Sequence, residues 1–346
     1  MPKDRRRELF GVKICAWYKT TDGPWGGGNQ FVRALVRELR RTGHDVRDEP
    51  RGDEDVVMLN AFLKGPGAPL RPNEIEYVRR VGPRHVWSRF VPQPVSRLVP
   101  RRGTTFVHRL DGVQHLIRGT VTDADNIHVA VNGLCDYTIF QSEYCVSSFR
   151  ECGGIDQQRS TIIYNGVDGE IFTAPKQPSV STPRVLRFGA SSWSPNPRKG
   201  FARLAALSQV PGVEVEFAGR WPETVPVENV TLVGPKASPE LSEWLHTRDA
   251  FVHAAEKEPC SNAILEGLAT GLPVLYLDSG GSRELAANYG LPLGDDLAQT
   301  VAEFRELYPT LRQRVLADRR KFLIDGIAPL YVAAFETAIR LRRSET

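Results

Sequence analysis

The 346-residue chain lacks the long apolar runs that cross membranes. No stretch approaches the roughly 18 consecutive apolar residues of a membrane helix, so the sequence predicts no transmembrane span. The first ten residues, MPKDRRRELF, are basic but no apolar run follows them, so they do not have the pattern of a secretory signal peptide. We therefore expect a cytoplasmic protein, and peripheral contact with a membrane surface stays open.

Cysteine is scarce, and no metal-binding spacing is present. The five cysteines include no CxxC pair, which favours reduced, buried thiols over a disulfide or zinc framework. The seven histidines show neither HxxxH nor HExxH spacing. The sequence therefore predicts no metal site.

Several common catalytic and nucleotide-binding motifs are also missing. There is no GxGxxG, no GxxxxGK[ST] and no GxSxG, which argues against a dinucleotide-binding enzyme, a P-loop protein and a hydrolase with a nucleophile elbow. The net charge of +4 is too small to indicate a nucleic-acid partner.

Length and composition predict two α/β domains. The chain suits two units of about 150 to 170 residues, and 41% of its residues are apolar, enough for two cores. A strand at 12–18, a glycine-rich loop and a helix at 30–42 form the opening unit of a nucleotide-type domain. The polar, proline-rich segment 173–183 reads as a linker. The predicted domains are 1–172 and 173–328.

The most informative stretch is 249–285. It reads as strand, polar loop, helix, strand and glycine-rich turn, with the first helix at 263–270. Glu258 and Glu266 lie on either side of the start of that helix. A helix start has free N–H groups that bind anions, and carboxylates accept hydrogen bonds from sugar hydroxyls. The stretch therefore predicts a site for a phosphate-bearing sugar compound.

This stretch resembles the signature of the retaining nucleotide-sugar glycosyltransferases of family 4, which have the GT-B fold. The features that carry the resemblance are Glu258, Glu266, Gly271, Pro273-Val274 and Gly280-Gly281. It implies two Rossmann-like domains facing each other across a cleft. It also implies transfer of a sugar from a UDP- or GDP-sugar to an acceptor hydroxyl with retention of configuration, and no required metal or other cofactor.

The resemblance also implies roles for the donor-site residues. Glu258 would bind hydroxyls of the donor sugar, and Glu266 would bind the ribose. Lys199 would offset the charge of the diphosphate, with help from Arg198, because Ala190 stands where the family has an arginine. The helix start and the first-domain loop would complete the site with Ser261, Asn262, Ala263, Gly27 and Gly28.

His108 and Asp111 lie at the end of a strand at 105–109. Ligands of open α/β sheets bind beyond the carboxyl ends of strands, so both residues are candidates for contact with the transferred sugar or the acceptor. His108 fits a core histidine equally well, and Asp111 fits a turn or N-cap residue. Which of them faces the cleft stays open.

Three further expectations concern the rest of the chain. Asp123 and Asp125 form a DxD sequence at a helix start, which favours capping over metal binding. Helices are predicted at 297–307 and 311–322. A last helix, 329–343, would cross back to the first domain, as the resemblance implies.

The acceptor is not specified by the sequence and is open among small molecules, glycans and lipid-linked sugars. Three alternatives to a transferase also remain: an epimerase on the same fold, a nucleotide-sugar-binding protein without turnover, and a hinged small-molecule-binding protein.

Overall fold

A computed structural model of the chain describes residues 11–23, 26–81, 104–152, 155 and 158–344. The segments 85–87 and 91–103, for which the sequence predicts a short strand and a proline- and arginine-rich loop, lie outside these residues. Twelve strands form two six-stranded sheets in the described part of the chain. The strands of the first sheet are β1 (Lys13–Trp17), β2 (Asp45–Arg47), β3 (Val56–Asn60), β4 (Thr105–Leu110), β5 (Tyr137–Phe140) and β6 (Ser160–Ile162).

The second sheet is built in the same way. Its strands are β7 (Leu186–Ser192), β8 (Val213–Gly219), β9 (Val230–Leu232), β10 (Ala250–His253), β11 (Val274–Tyr276) and β12 (Gly290–Pro292). The order is β2-β1-β3-β4-β5-β6 in the first sheet and β12-β11-β10-β7-β8-β9 in the second. Every pairing is parallel, so the carboxyl ends of all six strands of a sheet lie along one edge.

Helices connect the strands in both domains. Those of the first domain are α1 (Gly27–Arg41), α2 (Pro72–Val81), α3 (Gln114–Arg118), α4 (Ala124–Asn132) and α5 (Glu143–Cys152). The later helices are α6 (Phe201–Leu207), α7 (Ser238–Leu245), α8 (Asn262–Ala269), α9 (Ser282–Ala286), α10 (Leu297–Asp318) and α11 (Ile324–Arg343). No helix in the described residues combines the length and apolar character that crossing a bilayer requires.

The last helix packs against the first domain. The buried face of α11, which includes Tyr331 and Phe335, belongs to one apolar cluster with Phe31 and Leu35 of α1. The chain passes between domains at a backbone crossing where Val167 N donates to Phe322 O (2.9 Å) and Ile324 N to Val167 O (2.8 Å). The helix thus begins at Ile324, five residues before its predicted start.

Helix α10 corrects the prediction of two helices interrupted near Pro309. It is one helix of 22 residues with Pro309 inside it. A proline removes the hydrogen bond to the carbonyl four residues earlier, here that of Arg305. The hydroxyl of Thr182 donates to that carbonyl at 3.0 Å. This bond from the linker satisfies the carbonyl that Pro309 leaves free, so the helix continues.

The two domains are also joined across their facing surfaces. The carboxylate of Glu284, in α9, accepts hydrogen bonds from the backbone N–H groups of Glu143 and Tyr144, each at 2.8 Å. These groups open α5 of the first domain, and a helix start is stabilised by a carboxylate. A side chain of one domain therefore caps a helix of the other.

Candidate active site

A cleft with a volume of about 390 Å³ lies between the domains. Residues that follow strands of both sheets line it, as expected for open parallel sheets. The residues predicted for the site that line this cleft are Gly27, Gly28, Asp111, Lys199, Glu258, Ser261, Asn262, Ala263 and Glu266. Of the predicted site residues, Arg198 and His108 are absent from its lining. Predicted site residues of the first domain and of the second domain, which are distant in the chain, therefore line one cleft.

Glu258 is the most strongly held acid of the cleft. Its carboxylate forms an ion pair with Lys199, and Nε2 of His253 lies 3.1 Å from Oε2 of Glu258. Burial by itself raises the pKa of Glu258, but the charge of Lys199 and the contact with His253 outweigh burial and hold that pKa well below its usual range. Glu258 is therefore ionised throughout the physiological pH range.

The glycine pair of the signature holds the loop that carries Glu258. Gly281 N donates to Glu258 O at 2.8 Å. A Cβ atom at position 281 would lie 2.0 Å from the carbonyl oxygen of Pro259, and one at Gly280 would lie 2.3 Å from that of Glu258. Only glycine allows this backbone approach. Gly280 and Gly281 therefore position Glu258 through contacts with the backbone of its loop. This role does not require either glycine to touch a ligand.

Lys199 lies at the end of a short 3₁₀ turn, Pro197–Lys199. Asn196 caps that turn, because its Oδ1 accepts a hydrogen bond from Arg198 N at 2.9 Å. The turn directs Lys199 to Glu258. The guanidinium of Arg198 points the other way and donates to Leu116 O of the first domain at 2.8 Å. The expectation that Arg198 supplies a second charge to the diphosphate is therefore wrong in this structure, where Arg198 joins the two domains.

Ala190, which stands where an arginine was expected, lies within a strand. Strand β7 continues to Ser192, and Ala190 pairs with Phe217 in the middle of the sheet. Its side chain is buried. The residues that follow the strand and line the cleft are Trp193 and Ser194. The strand is longer than predicted, so the end of the strand, where a ligand contact is expected, comes after Ala190.

Two helix starts meet in the cleft. Helix α8 begins at Asn262, and α1 begins at Gly27, three residues before its predicted start. The side-chain Nδ2 of Asn262 donates to Gly27 O at 2.7 Å, and its Oδ1 accepts from Asn165 Nδ2 at 2.8 Å. A Cβ atom on Gly27 would lie 2.9 Å from Nδ2 of Asn262. A side chain at position 27 would therefore displace this amide group, and Gly28 lines the cleft beside Gly27.

Glu266 lies one turn into α8 and is half-buried at the wall of the cleft. Its carboxyl group accepts no hydrogen bond from any residue that the structure describes. Burial raises the pKa of Glu266 to about 8. The group is thus an acceptor without a protein partner, as binding of ligand hydroxyls requires.

The raised pKa of Glu266 predicts a pH dependence of stability. The native state binds a proton that the unfolded state has lost between the unfolded pKa, 4.5, and the folded value of about 8. The stabilisation is therefore complete below pH 4.5 and is lost as the pH rises through about 8. We expect Glu266→Gln, which cannot ionise, to remove this decline.

Denaturant unfolding between pH 5 and pH 9 measures this difference. The free energies of unfolding of wild type and Glu266→Gln should diverge by roughly 2 to 4 kcal/mol, at about 1.4 kcal/mol per pKa unit with a discount for partial exposure. Glu303, exposed on α10, provides the control Glu303→Gln, which should follow wild type. Parallel curves for wild type and Glu266→Gln would contradict the raised pKa.

His108 is a core residue, which is one of the two interpretations that the sequence left open. Its side chain has no exposed surface. Nε2 lies 2.8 Å from Ala61 O, and Nδ1 lies 3.2 Å from Nδ2 of Asn132. Burial and the neighbouring His128 lower the pKa of His108 to about 3, so the ring is neutral. Both ring nitrogens are used within the first domain.

Asp111 is the one of the two that faces the cleft. Its Oδ1 accepts a hydrogen bond from Nε2 of Gln114 at 3.1 Å, and Nε2 of the buried His128 lies 3.3 Å away. The side chain follows β4 directly, as a ligand contact in an open sheet does. Asp111 is therefore the carboxylate that the first domain contributes.

Of the two DxD residues, Asp125 caps a neighbouring helix, and Asp123 makes no capping hydrogen bond to the backbone of its own helix. Asp125 accepts hydrogen bonds from the backbone N–H groups of Gln114 (2.6 Å) and His115 (3.1 Å) at the start of α3. Asp123 accepts from the side chain of Asn126 at 3.1 Å. No group of three or more potential metal ligands occurs among the residues that the structure describes.

Comparison with known proteins shows which families this chain is similar to. Residues 199–308 match the family described as Glycosyl transferases group 1. A GDP-mannose-dependent alpha-mannosyltransferase of Mycolicibacterium smegmatis is 23% identical over 87% of both chains. A protein of the same name from Mycobacterium tuberculosis is 27% identical over 37% of this chain and 34% of its own.

Solved structures with the same fold cover nearly the whole chain. Anabaena HepE, solved in complex with UDP and glucose, superimposes with a TM-score of 0.63 over 94% of this chain and all of its own, at 16% identity. Sucrose-phosphate synthase of Thermosynechococcus elongatus has a TM-score of 0.61 over 94% and 98% of the two chains, also at 16% identity. The predicted fold class is therefore confirmed. The family match, the curated relatives and the fold together identify this chain as a glycosyltransferase of the GT-B fold, similar to those of family 4.

Proposed function

We propose that the chain transfers a hexose from a nucleotide-diphosphate sugar to an acceptor hydroxyl with retention of configuration. The observation that carries the proposal is the convergence of Glu258, Lys199, Glu266 and the start of α8 in one cleft between the domains. A diphosphate fits at the α8 start because free N–H groups and the helix dipole favour an anion there. Glu266, one turn along the same helix, would bind the ribose.

The Lys199–Glu258 pair would serve both halves of the donor. The ammonium group offsets the charge that develops on the leaving diphosphate, and this stabilises the transition state. The carboxylate accepts hydrogen bonds from sugar hydroxyls and fixes the orientation of the sugar. The proposed reaction is a front-side substitution, in which the leaving phosphate accepts the proton of the acceptor. Such a reaction needs no covalent nucleophile from the protein.

The first domain would bind the acceptor. Asp111 lies opposite the Glu258 loop, since a Cβ atom on the adjacent Gly112 would come within 2.5 Å of the ring of Pro259. A carboxylate at this point can accept a hydrogen bond from a hydroxyl of the acceptor or of the transferred sugar. We propose that Asp111 makes this contact.

Mannose carried by GDP is the donor that we propose first. The three curated relatives that match share the name GDP-mannose-dependent alpha-mannosyltransferase. UDP-glucose is the second donor to test, because a structural neighbour was solved with it. We further propose that no metal ion is required, since Lys199 and the helix start offset the charge of the diphosphate.

Isothermal calorimetry with GDP-mannose and UDP-glucose, together with an assay for released nucleotide, tests the proposal. We expect binding of one donor and release of its nucleoside diphosphate, with product formation when candidate acceptors are added. Both should persist in excess EDTA, and loss of turnover that Mg²⁺ restores would contradict metal independence. Binding without nucleotide release under any acceptor would instead support a binding protein.

A further inference from the structure

Arg109 is a buried arginine held only by neutral groups. It lies in β4 with 1% of its surface exposed. Nη1 donates to Asn60 Oδ1 (2.5 Å), Nη2 to Asn165 Oδ1 (2.6 Å) and Nε to the hydroxyl of Tyr331 (3.0 Å). The guanidinium carbon also lies 4.1 Å from the centre of the Phe31 ring. The side chain is thus fixed from several sides.

No carboxylate balances this charge. Among the described residues, none of the ion pairs includes Arg109. A buried charge is costly unless a counter-charge is near, so arginines that are this deeply buried are usually paired with an acid. Amide oxygens and an aromatic face stabilise the cation only in part. In the part of the chain that the structure describes, this positive charge therefore has no carboxylate partner.

The charge is located at the donor cleft, whose lining includes Arg109. A chain of hydrogen bonds also connects it to the helix starts: Arg109 binds Asn165, Asn165 binds Asn262, and Asn262 binds Gly27 O. The α8 start and the α1 start therefore converge with a buried cation. All three favour a negative ligand at the same end of the cleft.

We propose that Arg109 is the counter-charge for the diphosphate of the nucleotide donor. This inference rests on the proposed function. It also explains how the site manages without the arginine expected near Ala190. The charge of Lys199 is shared with Glu258, and Arg198 is turned to the first domain. A charge buried in a medium of low polarity acts on a neighbouring ligand with little screening by water. The donor thus supplies the anion that Arg109 lacks.

The substitution Asn60→Asp tests the proposal with little change of shape. It keeps the oxygen that accepts from Arg109 and adds the missing carboxylate, so the guanidinium is neutralised by the protein itself. Titrations with GDP, GMP and guanosine, and with UDP, UMP and uridine, vary the ligand charge while keeping the base and ribose. We expect Asn60→Asp to weaken the diphosphate roughly 10-fold to 100-fold and the nucleoside less than about 3-fold.

Arg109→Met removes the charge directly and should give the same graded loss. Two controls separate charge from structure. Tyr331→Phe removes one hydrogen bond of Arg109 but leaves its charge, and should leave the preference for diphosphate over nucleoside unchanged. Arg79→Met removes an arginine that lies over Phe106, 4.9 Å from the ring centre, and pairs with Asp136 away from the cleft.

The outcomes are distinct. A graded loss in Asn60→Asp that is absent in both controls supports the proposal. An equal loss for diphosphate and nucleoside, or no loss, in Asn60→Asp overturns it and leaves Arg109 a structural residue. If wild type binds none of the six ligands, the proposed function fails and this inference fails with it. If Arg109→Met does not fold, the titrations of Asn60→Asp alone test the proposal.

Discussion

Glu258→Gln is expected to lower turnover by at least about 100-fold, because the donor sugar loses the carboxylate that fixes its orientation. Affinity for the free nucleoside diphosphate should stay within about 3-fold of wild type or improve slightly. The reason is the ion pair between Lys199 and Glu258. Once the carboxylate is neutral, the ammonium group of Lys199 is fully available to the diphosphate. Steady-state kinetics and calorimetric titration measure the two effects separately.

Glu256→Gln is the matched control for this variant. Glu256 belongs to the same loop and is also half-buried, but it does not line the cleft. It should keep turnover near the wild-type value. A Glu258→Gln enzyme that turns over normally, or one that loses nucleotide affinity and turnover in parallel, would show that Glu258 does not act on the sugar.

Glu266→Ala should act on the nucleotide instead. The loss of a charged acceptor for ribose hydroxyls is expected to weaken GDP or UDP by roughly 10-fold to 150-fold. Binding should also release a proton in wild type at pH 7, because burial raises the pKa of Glu266 to about 8 and ribose hydroxyls favour the ionised form. Calorimetry in two buffers of different ionisation enthalpy counts that proton.

The 2′,3′-dideoxy nucleotide completes a double-mutant cycle with Glu266→Ala. If the carboxylate binds the ribose, removal of the hydroxyls should weaken wild type strongly and the variant hardly at all. Glu303→Ala on the exposed face of α10 should behave as wild type. Equal affinity of Glu266→Ala and wild type for GDP and UDP would rule out the ribose contact.

The second-domain half of the candidate site could be predicted from sequence because most of its residues are close together along the chain. Glu258, Asn262 and Glu266 lie within nine positions of one another, in the loop and helix that follow a strand. The local sequence pattern determines the geometry of such a unit. Lys199 was predictable from the resemblance, since a lysine and a glycine follow the first strand of the domain. His253 was missed, although its place at the carboxyl end of β10 offered a signal.

The first-domain half depends on contacts that sequence does not show. His108 and Asp111 are three residues apart on neighbouring parts of one strand end, and only packing against Ala61 and Asn132 makes the histidine a core residue. Arg109, which lies between them, was not predicted to belong to the site. Its partners are 49, 56 and 222 positions away, so no local pattern could reveal that its charge is buried at the cleft.

The predicted helix boundaries were wrong where a residue distant in the sequence hydrogen-bonds to a free backbone carbonyl. The break predicted near Pro309 was reasonable for an isolated helix, and it is prevented by the hydroxyl of Thr182 in the linker. The direction of the Arg198 side chain was also not predictable from local sequence. Its guanidinium was expected near the diphosphate, but it donates a hydrogen bond to a backbone carbonyl of the first domain.

A crystal structure of the protein with GDP tests the central claim most directly. The account predicts that the diphosphate lies at the start of α8 beside Lys199, with the ribose hydroxyls within hydrogen-bond distance of Glu266. It would be contradicted by a nucleotide bound elsewhere, with Glu266 and Lys199 free of the ligand.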